Sequence, residues 1–253
     1  MSDVAVDHVI FHAGQALDAL ASFFERVGFT LTPLGRHSSG SVNRLAILDT
    51  QYLELVGFKP GTPPTVRPEI QSLPLGLTGL AAADRPEHRR GSDPEGFMPA
   101  RRLERPVDFP GLHGVASFTN TEVREQAPDV RVFLCRHHTP ELVWHPDWQR
   151  HANGVTGVRE VSFASPDPQR LHAALRRVFD LAPGQDAACY AAAGTVVRVV
   201  PAGARAALLL RTRDPGATLQ ILKSAGIPHD VLDGSMIVPL PQPYATDLVF
   251  TAP

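Results

Sequence analysis

The chain has 253 residues, 43% of them hydrophobic and 20% charged, with a formal net charge of −2, which is the balance of a globular protein with one large domain or two ordinary ones. No apolar run approaches the roughly 20 residues of a membrane span, no dense basic stripe indicates nucleic-acid binding, and the N-terminus lacks the basic start and apolar core of a signal peptide. The two cysteines, Cys135 and Cys189, form neither a disulfide framework nor a Cys-x-x-Cys metal motif, so we expect a cytoplasmic protein.

The N-terminal segment predicts a strand, a helix and three further strands. Residues 6–11 alternate as a strand does, and the apolar positions of residues 15–27 have helical spacing. Gly28 stands where a helix C-cap glycine belongs. The three strands that complete this unit are predicted at residues 29–34, 44–48 and 52–56.

The same order of elements recurs at intervals of roughly 50 residues, which indicates an internal repeat. The second copy has strand patterns at 77–83, 101–106, 113–119 and 130–137, but its polar, broken segment 84–94 predicts a short or absent helix. A third copy begins at residue 157 and a fourth near residue 206. One such unit must bury the open face of its sheet against a neighbour. We therefore predict an α+β fold in which tandem βαβββ modules form curved mixed sheets around a cleft.

Three segments of the first unit carry a resemblance to a known superfamily. They are Asp-His-Val at 7–9, Phe-Phe-Glu-Arg-Val-Gly-Phe at 23–29 and Tyr-Leu-Glu-Leu at 52–55. Together with the element order, they resemble the vicinal oxygen chelate superfamily, which includes glyoxalase I, extradiol dioxygenases and bleomycin-resistance proteins. More narrowly, Gly-Arg-His at 35–37, Asn-Arg at 43–44 and Cys-Arg-His-His-Thr-Pro-Glu at 135–141 are similar to the glyoxalase-like domain proteins of that superfamily.

The resemblance implies a division of the chain into two parts. Residues 1–150 would form a glyoxalase-like domain of two βαβββ modules, the second degenerate, and residues 155–253 a C-terminal pair of βαβββ-like modules. In the C-terminal pair, Glu160 occupies the place that matches His8, and the last strand offers neither histidine nor glutamate. We interpret this half as a scaffold or as the surface of a homodimer. Extradiol dioxygenases keep their metal in the C-terminal pair, so the functional analogy with them is weaker.

The resemblance also implies a metal site in the N-terminal pair. His8 matches the first-strand ligand of the superfamily, Glu54 the last-strand ligand of the first module, and His137 that of the second module. The first strand of the second module offers no ligand, which departs from a four-ligand site. Two histidines and one carboxylate with open positions suit a divalent metal ion that binds substrate. Zn, Fe, Mn, Ni and Mg all remain open.

Each of these residues has a structural alternative. The alternative for His8 is a strand histidine whose hydrogen bonds are satisfied without a metal. The alternative for Glu54 is that its face of the strand is solvated and not buried. His137 and His138 are adjacent and point to opposite faces of their strand, so only one faces the cleft. We favour His137 because it shares a face with Cys135 and Phe133.

Further residues are candidates for binding and catalysis. Glu54 and Glu141 are the candidate catalytic carboxylates, with Glu141 as a proton shuttle or an acceptor behind the ligands. His37, Asn43 and Arg44 flank a turn, where Arg36 or Arg44 could bind a substrate carboxylate, with a solvated turn as the equal alternative. Trp144 is expected at the mouth of the cleft, with plain packing as its alternative.

The leading functional prediction is a metal-dependent enzyme that acts on a small molecule with adjacent oxygens, as an isomerase, lyase or dioxygenase. The rival prediction is a metal-free protein that binds or sequesters a drug-like small molecule in the same cleft. A degenerate structural member of the superfamily is a third. The expected partners are a small-molecule substrate or ligand and a second copy of the chain, with no nucleic acid and no membrane.

Overall fold

The computed structural model describes residues 4–84, 94–109, 111–181, 189–192 and 194–253. The first sheet contains the strands β1 (Val6–His12), β2 (Gly35–Arg36), β3 (Val42–Ile47), β4 (Tyr52–Gly57), β5 (Gly76–Ala83), β6 (Arg101–Phe109), β7 (Leu112–Glu122) and β8 (Arg131–His137). The second sheet contains the strands β9 (Val155–Ser165), β10 (Cys189–Ala192), β11 (Thr195–Pro201), β12 (Ala206–Thr212), β13 (Asp230–Leu232), β14 (Ser235–Pro239) and β15 (Thr246–Thr251).

The first module has its helix within the predicted residues 15–27, whereas a four-residue helix between the first two modules was not predicted. The helices are α1 (Leu17–Arg26), α2 (Pro68–Gln71), α3 (Pro168–Val178) and α4 (Pro215–Ser224). Both α3 and α4 begin with a proline that follows an aspartate, and the side chains of Asp167 and Asp214 accept hydrogen bonds from the amides of Arg170 and Ala217. These two helices therefore start with a proline and an N-cap, which satisfy the first amides of the helix. The segment predicted to have a short or absent helix, 84–94, lies largely outside the described residues.

The strand order confirms the predicted fold of tandem βαβββ modules in curved mixed sheets. The first sheet has the order β2-β3-β4-β1-β5-β8-β7-β6, with β1 parallel to β4, β5 parallel to β8, and β1 antiparallel to β5 where the two modules meet. Its two outermost strands, β2 and β6, contact each other. The sheet therefore curves almost into a closed barrel, and the inward side chains of both modules face one space.

The second strand of the first module differs from its prediction at residues 29–34. Only Gly35 and Arg36 pair with β3. Pro33 has no amide hydrogen for a ladder, and the hydroxyl of Thr32 accepts the hydrogen bond of the Leu45 amide, 2.9 Å away, in place of a backbone carbonyl. The approach to β2 is thus held by a side chain, which the apolar pattern of the segment does not reveal.

One apolar core joins the two sheets. It contains Phe24 and Leu53 from the first half of the chain and Phe163, Leu208 and Phe250 from the second. The division into domains at 1–150 and 155–253 stays a prediction, although Val155 is the first residue of the second sheet. Of the helices in the described residues, none has the length and apolar character that a transmembrane span requires.

Candidate metal centre and cavity

The concave side of the first sheet lines a partly open cavity, in and around which about 770 Å³ is free of protein atoms, open solvent included. All of its lining side chains belong to residues between His8 and Val143, so both N-terminal modules contribute and the second sheet does not. Its wall is largely apolar, with Ile10, Leu45 and Phe133 among the lining residues, and a small number of polar groups interrupt it. This composition is typical of a small-molecule site.

A β-bulge in β1 places two consecutive side chains on the same side. The pairing of β1 with β5 shifts between Val6 and His8, so Asp7 and His8 do not alternate as neighbours in a regular strand do. Asp7 Oδ1 is 2.6 Å from His8 Nδ1, and both residues are buried. Because a carboxylate only accepts, Nδ1 of His8 carries the hydrogen, and in the neutral imidazole Nε2 keeps a lone pair.

That lone pair faces Glu54. His8 Nε2 is 3.8 Å from Glu54 Oε2, while Glu54 Oε1 accepts a hydrogen bond of 2.7 Å from the side-chain amide of Asn43. The His8 ring is stacked on Tyr52, with ring centres 4.4 Å apart. A basic nitrogen and a carboxylate oxygen thus meet across a gap that contains no donor hydrogen, which is a favourable place for a cation.

His137 approaches the cluster from β8. Its Nε2 donates to Asp7 Oδ1 at 3.1 Å, so one carboxylate oxygen accepts from both imidazoles. Cys135 Sγ lies 3.6 Å from His137 Nε2. The adjacent His138 lies on the other face of β8, where its Nε2 contacts the hydroxyl of Thr119 at 2.8 Å.

Burial and hydrogen bonding determine the charges in the cluster. Burial raises the pKa of Asp7, but the hydrogen bonds from His137 and His8 outweigh it and hold that pKa well below its usual range. Burial also opposes the ionisation of Glu54, yet the charges of His8 and His37 when these rings are protonated, together with the hydrogen bond from the Asn43 amide, lower its pKa overall. Burial and the nearby carboxylates raise the pKa of the Cys135 thiol and of Tyr52. Both carboxylates are therefore anionic at neutral pH.

The donor set fits a divalent metal ion in two ways. One ligand atom from each of Asp7, His8, Cys135 and His137 lies within 4.8 Å of the others, a spacing that one ion with bonds of about 2.0–2.3 Å can draw together. Alternatively, His8 Nε2 and Glu54 Oε2, 3.8 Å apart, share the ion. In that case Asp7 holds the orientation of His8 from behind, as carboxylates commonly do for metal-binding histidines.

Several residues predicted from sequence line the cavity together. His8, His37, Asn43, Glu54 and His137 are all in its wall. Nδ1 of His37 is 2.9 Å from the hydroxyl of Ser41, and burial lowers the pKa of His37 to about 4, so its ring is neutral. The turn predicted around His37 and Asn43 therefore reaches the same space as the histidine and glutamate of β1 and β4.

The other predicted residues lie elsewhere. Arg44 is on the opposite face of β3, where its Nη1 is 3.5 Å from Glu25 Oε1 of α1. Glu141 is exposed in the short 3₁₀ turn after β8. Trp144 lies behind the cavity wall, with its ring 5.0 Å from that of His137 and 5.7 Å from that of Tyr52. Arg44, Glu141 and Trp144 therefore do not enter the proposed mechanism.

Sequence reasoning did not single out three residues of the site. Asp7 was part of the motif at 7–9, but strict alternation assigns it to the face opposite His8. Cys135 served only to assign His137 to the inner face, since the two residues are two positions apart on one strand and share that face. Arg105 belongs to β6, lines the cavity and is 3% exposed. Only the curvature that brings β6 to β2 reveals it.

A comparison with protein families matches residues 6–179 to the glyoxalase-like domain model. The chain belongs to the glyoxalase-like domain family. The match extends from β1 through α3 and thus includes the whole cavity, and it confirms the resemblance to the vicinal oxygen chelate superfamily. No curated protein matches the chain.

Solved structures share the fold at low sequence identity. A hypothetical protein from Staphylococcus aureus is 12% identical, with a TM-score of 0.62 over 99% of this chain and 100% of the other. A mutant of 4-hydroxymandelate synthase from Streptomyces coelicolor is 12% identical, with a TM-score of 0.53 over 99% and 93%. The 2,3-dioxygenase LapB from Pseudomonas sp. KL28 is 10% identical, with a TM-score of 0.53 over 100% and 94%. At such identities the likeness shows the fold alone.

Proposed function

We propose that this protein is a metal-dependent enzyme that acts on a small molecule with two neighbouring oxygens. The observation that supports the proposal most directly is the convergence of His8, His137 and Glu54 on the wall of one cavity, with the buried carboxylate of Asp7 bound to both imidazoles. In the proposed metal site, His8 and His137 bind a divalent ion together with the carboxylate of either Asp7 or Glu54. A bound ion would act as a Lewis acid towards the substrate oxygens.

The side chains around the ion have separate tasks. Asp7 fixes the tautomer and orientation of His8 through its hydrogen bond to Nδ1. Asn43 binds Oε1 of Glu54 and leaves Oε2 to ligate the ion or to accept a proton from the substrate. The apolar wall, with residues such as Ile10 and Phe133, excludes water from the reacting atoms. The reaction type, whether isomerisation, lyase chemistry or dioxygenation, is not part of the proposal, although two of the structural neighbours are a synthase and a 2,3-dioxygenase by name.

The rival function, metal-free binding of a drug-like molecule, draws on the same cavity. Its supporting observation is that β5, the first strand of the second module, presents Thr78 to the cavity where a fourth ligand would be expected. Metal content separates the two functions, because a sequestering protein needs only the apolar wall.

The test is elemental analysis of the protein purified after growth with Zn, Mn, Fe and Ni supplied. We expect about one equivalent of a divalent metal in the wild-type protein. Less than about a tenth of an equivalent of metal, together with no uptake on titration with each metal, would contradict the proposal of a metal-dependent enzyme. It would favour metal-free binding of a drug-like molecule.

Isosteric variants identify the ligands. Replacing either histidine, as in His8→Gln or His137→Gln, should lower metal affinity at least about tenfold. Asp7→Asn and Glu54→Gln decide which carboxylate binds the ion, because only the ligand variant should lose the metal outright. His138→Gln is the matched control, since this histidine neighbours His137 in sequence and lies on the opposite face. Equal loss in the control would contradict the assignment.

A further inference from the structure

Arg105 is a buried cation that forms no ion pair with any residue in the described part of the chain. The residue is 3% exposed and projects from β6 into the cavity. Its Nη1 makes no hydrogen bond, and among the described residues no carboxylate lies within ion-pair distance of its guanidinium. Burial of an uncompensated charge is expensive, so such groups usually have an opposite charge to bind.

The other arginines of the cavity wall are already neutralised. Arg131 forms an ion pair with Glu122 and lies over the ring of Phe133, and Arg67 forms one with Glu69. Glu54 acts on Arg105 only through space, and burial lowers the pKa of the guanidinium. Glu54 is also engaged by Asn43 and His8. Among the described residues, Arg105 is therefore the arginine of the cavity wall that forms no ion pair.

Neighbouring polar atoms are also without partners. Oδ1 of Asn43, Oγ1 of Thr78 and Oδ1 of Asn120 are buried, make no hydrogen bond and belong to residues that line the cavity. The backbone is shaped around this group, because a Cβ at Gly35 would collide with both Asn43 Oδ1 and Arg105 Nη1. The cavity wall thus presents unpaired acceptor atoms, as well as the guanidinium donor of Arg105, to a bound molecule.

We propose that Arg105 binds a carboxylate group of the ligand, so that the natural substrate is a small organic acid with an apolar body. The planar guanidinium matches a carboxylate with two parallel hydrogen bonds. The apolar wall, which includes Leu45, Leu103 and Phe118, accommodates the body of the acid. This inference deepens the proposed function, since it assigns the substrate class of the same cavity.

The experiment compares an acid with its neutral counterpart. Phenylacetate and phenylacetamide are titrated by calorimetry into wild-type protein, both metal-loaded and after removal of metal by a chelator. We expect phenylacetate to bind about tenfold or more tightly than the amide in both forms. In Arg105→Met, that preference should fall below about threefold while the metal content stays that of the wild type.

Two further variants keep the test decisive. Arg105→Lys retains the charge but not the paired hydrogen bonds, and it should bind phenylacetate several-fold more weakly while still preferring it to the amide. Arg102→Met, on the same strand with an exposed side chain, should behave as wild type. If Arg105→Met does not fold, the comparison of Arg105→Lys with Arg102→Met still tests the role of Arg105.

Three results would overturn the inference. The first is equal binding of acid and amide to the wild-type protein, and the second is an undiminished preference in both Arg105 variants. The third is a preference that disappears when metal is removed, because the acid then binds the ion and not Arg105. A protein that contains no metal yet keeps an Arg105-dependent preference would reject the proposed enzyme and leave this inference standing.

Discussion

Gly35 makes room for the polar wall of the cavity. It begins β2 where the two ends of the first sheet meet, and Asn43 and Arg105 occupy the space that a side chain would need. Its role is therefore steric, since its φ angle is not in the left-handed region. A residue this small lets a guanidinium and an amide approach the backbone closely.

We expect Gly35→Ala to destabilise the protein by about 1–3 kcal/mol, because the added methyl group must displace Asn43 or Arg105 in a packed wall. The variant should also bind phenylacetate more weakly. Gly157→Ala is the control, since a Cβ there meets its nearest neighbour at an ordinary 3.6 Å. Denaturant unfolding of both variants measures the difference, and equal stabilities would contradict the steric role.

Asp7 connects the two modules of the first sheet at the candidate metal centre. With its carboxylate between His8 and His137, it ties the first strand of one module to the last strand of the next. The bulge in β1 orients the Asp7 side chain towards both histidines. The hydrogen bonds from these histidines keep the carboxylate ionised despite its burial. Any ion in this cluster would meet an anion that is already oriented.

At the scale of elements, the connector after β8 is bonded to the first module. His151 is central to it: Nδ1 accepts from the amide of Thr30 at 3.0 Å, and Nε2 donates to the carbonyl of Ile47 at 2.9 Å. Both bonds require the neutral imidazole, because a protonated Nδ1 cannot accept. Burial accordingly lowers the pKa of His151.

The lowered pKa predicts acid sensitivity. Below the ordinary imidazole pKa of about 6.5, the unfolded chain takes up a proton that folded His151 resists, so stability falls as the pH decreases, by at most about 1.4 kcal/mol per pH unit for this group. Glutamine offers the same donor and acceptor without titrating. We expect His151→Gln to lose about 1 kcal/mol less than wild type between pH 7 and pH 5.

Denaturant unfolding at several pH values measures this difference. At pH 8 both proteins are neutral at this position, so their difference there defines the baseline. Parallel stability curves from pH 8 to pH 5 would show that His151 does not titrate differently in the folded and unfolded states.

At the scale of the whole molecule, a buried amide links the two sheets. Gln51, in the turn before β4, donates through Nε2 to the hydroxyl of Thr195 at 2.9 Å and accepts through Oε1 from the amide of Val158 at 2.9 Å. These bonds lie beside the apolar core that the two halves share. The halves should therefore unfold together.

We expect Gln51→Met to lower the free energy of unfolding by about 2 kcal/mol, because the Val158 amide is left buried without its acceptor. The unfolding should remain a single transition in both wild type and variant. Gln220→Met, at an exposed helix position, should change stability by less than about 0.5 kcal/mol. Two separate transitions in the wild type would favour independent domains at 1–150 and 155–253.

The cytoplasmic location and the homodimer stay predictions.

The sequence by itself determined the repeated βαβββ order, because hydrophobic periodicity, proline starts and glycine caps act within a few residues of each other. The resemblance of its motifs implied His8, Glu54 and His137 as candidate ligands, and alternation along the strand favoured His137 over His138. The tertiary structure alone decided the rest. A bulge moved Asp7 to the face of His8, and the closing of the sheet brought Arg105 to Asn43. Such placements depend on the curvature of all eight strands, and no local pattern encodes that curvature.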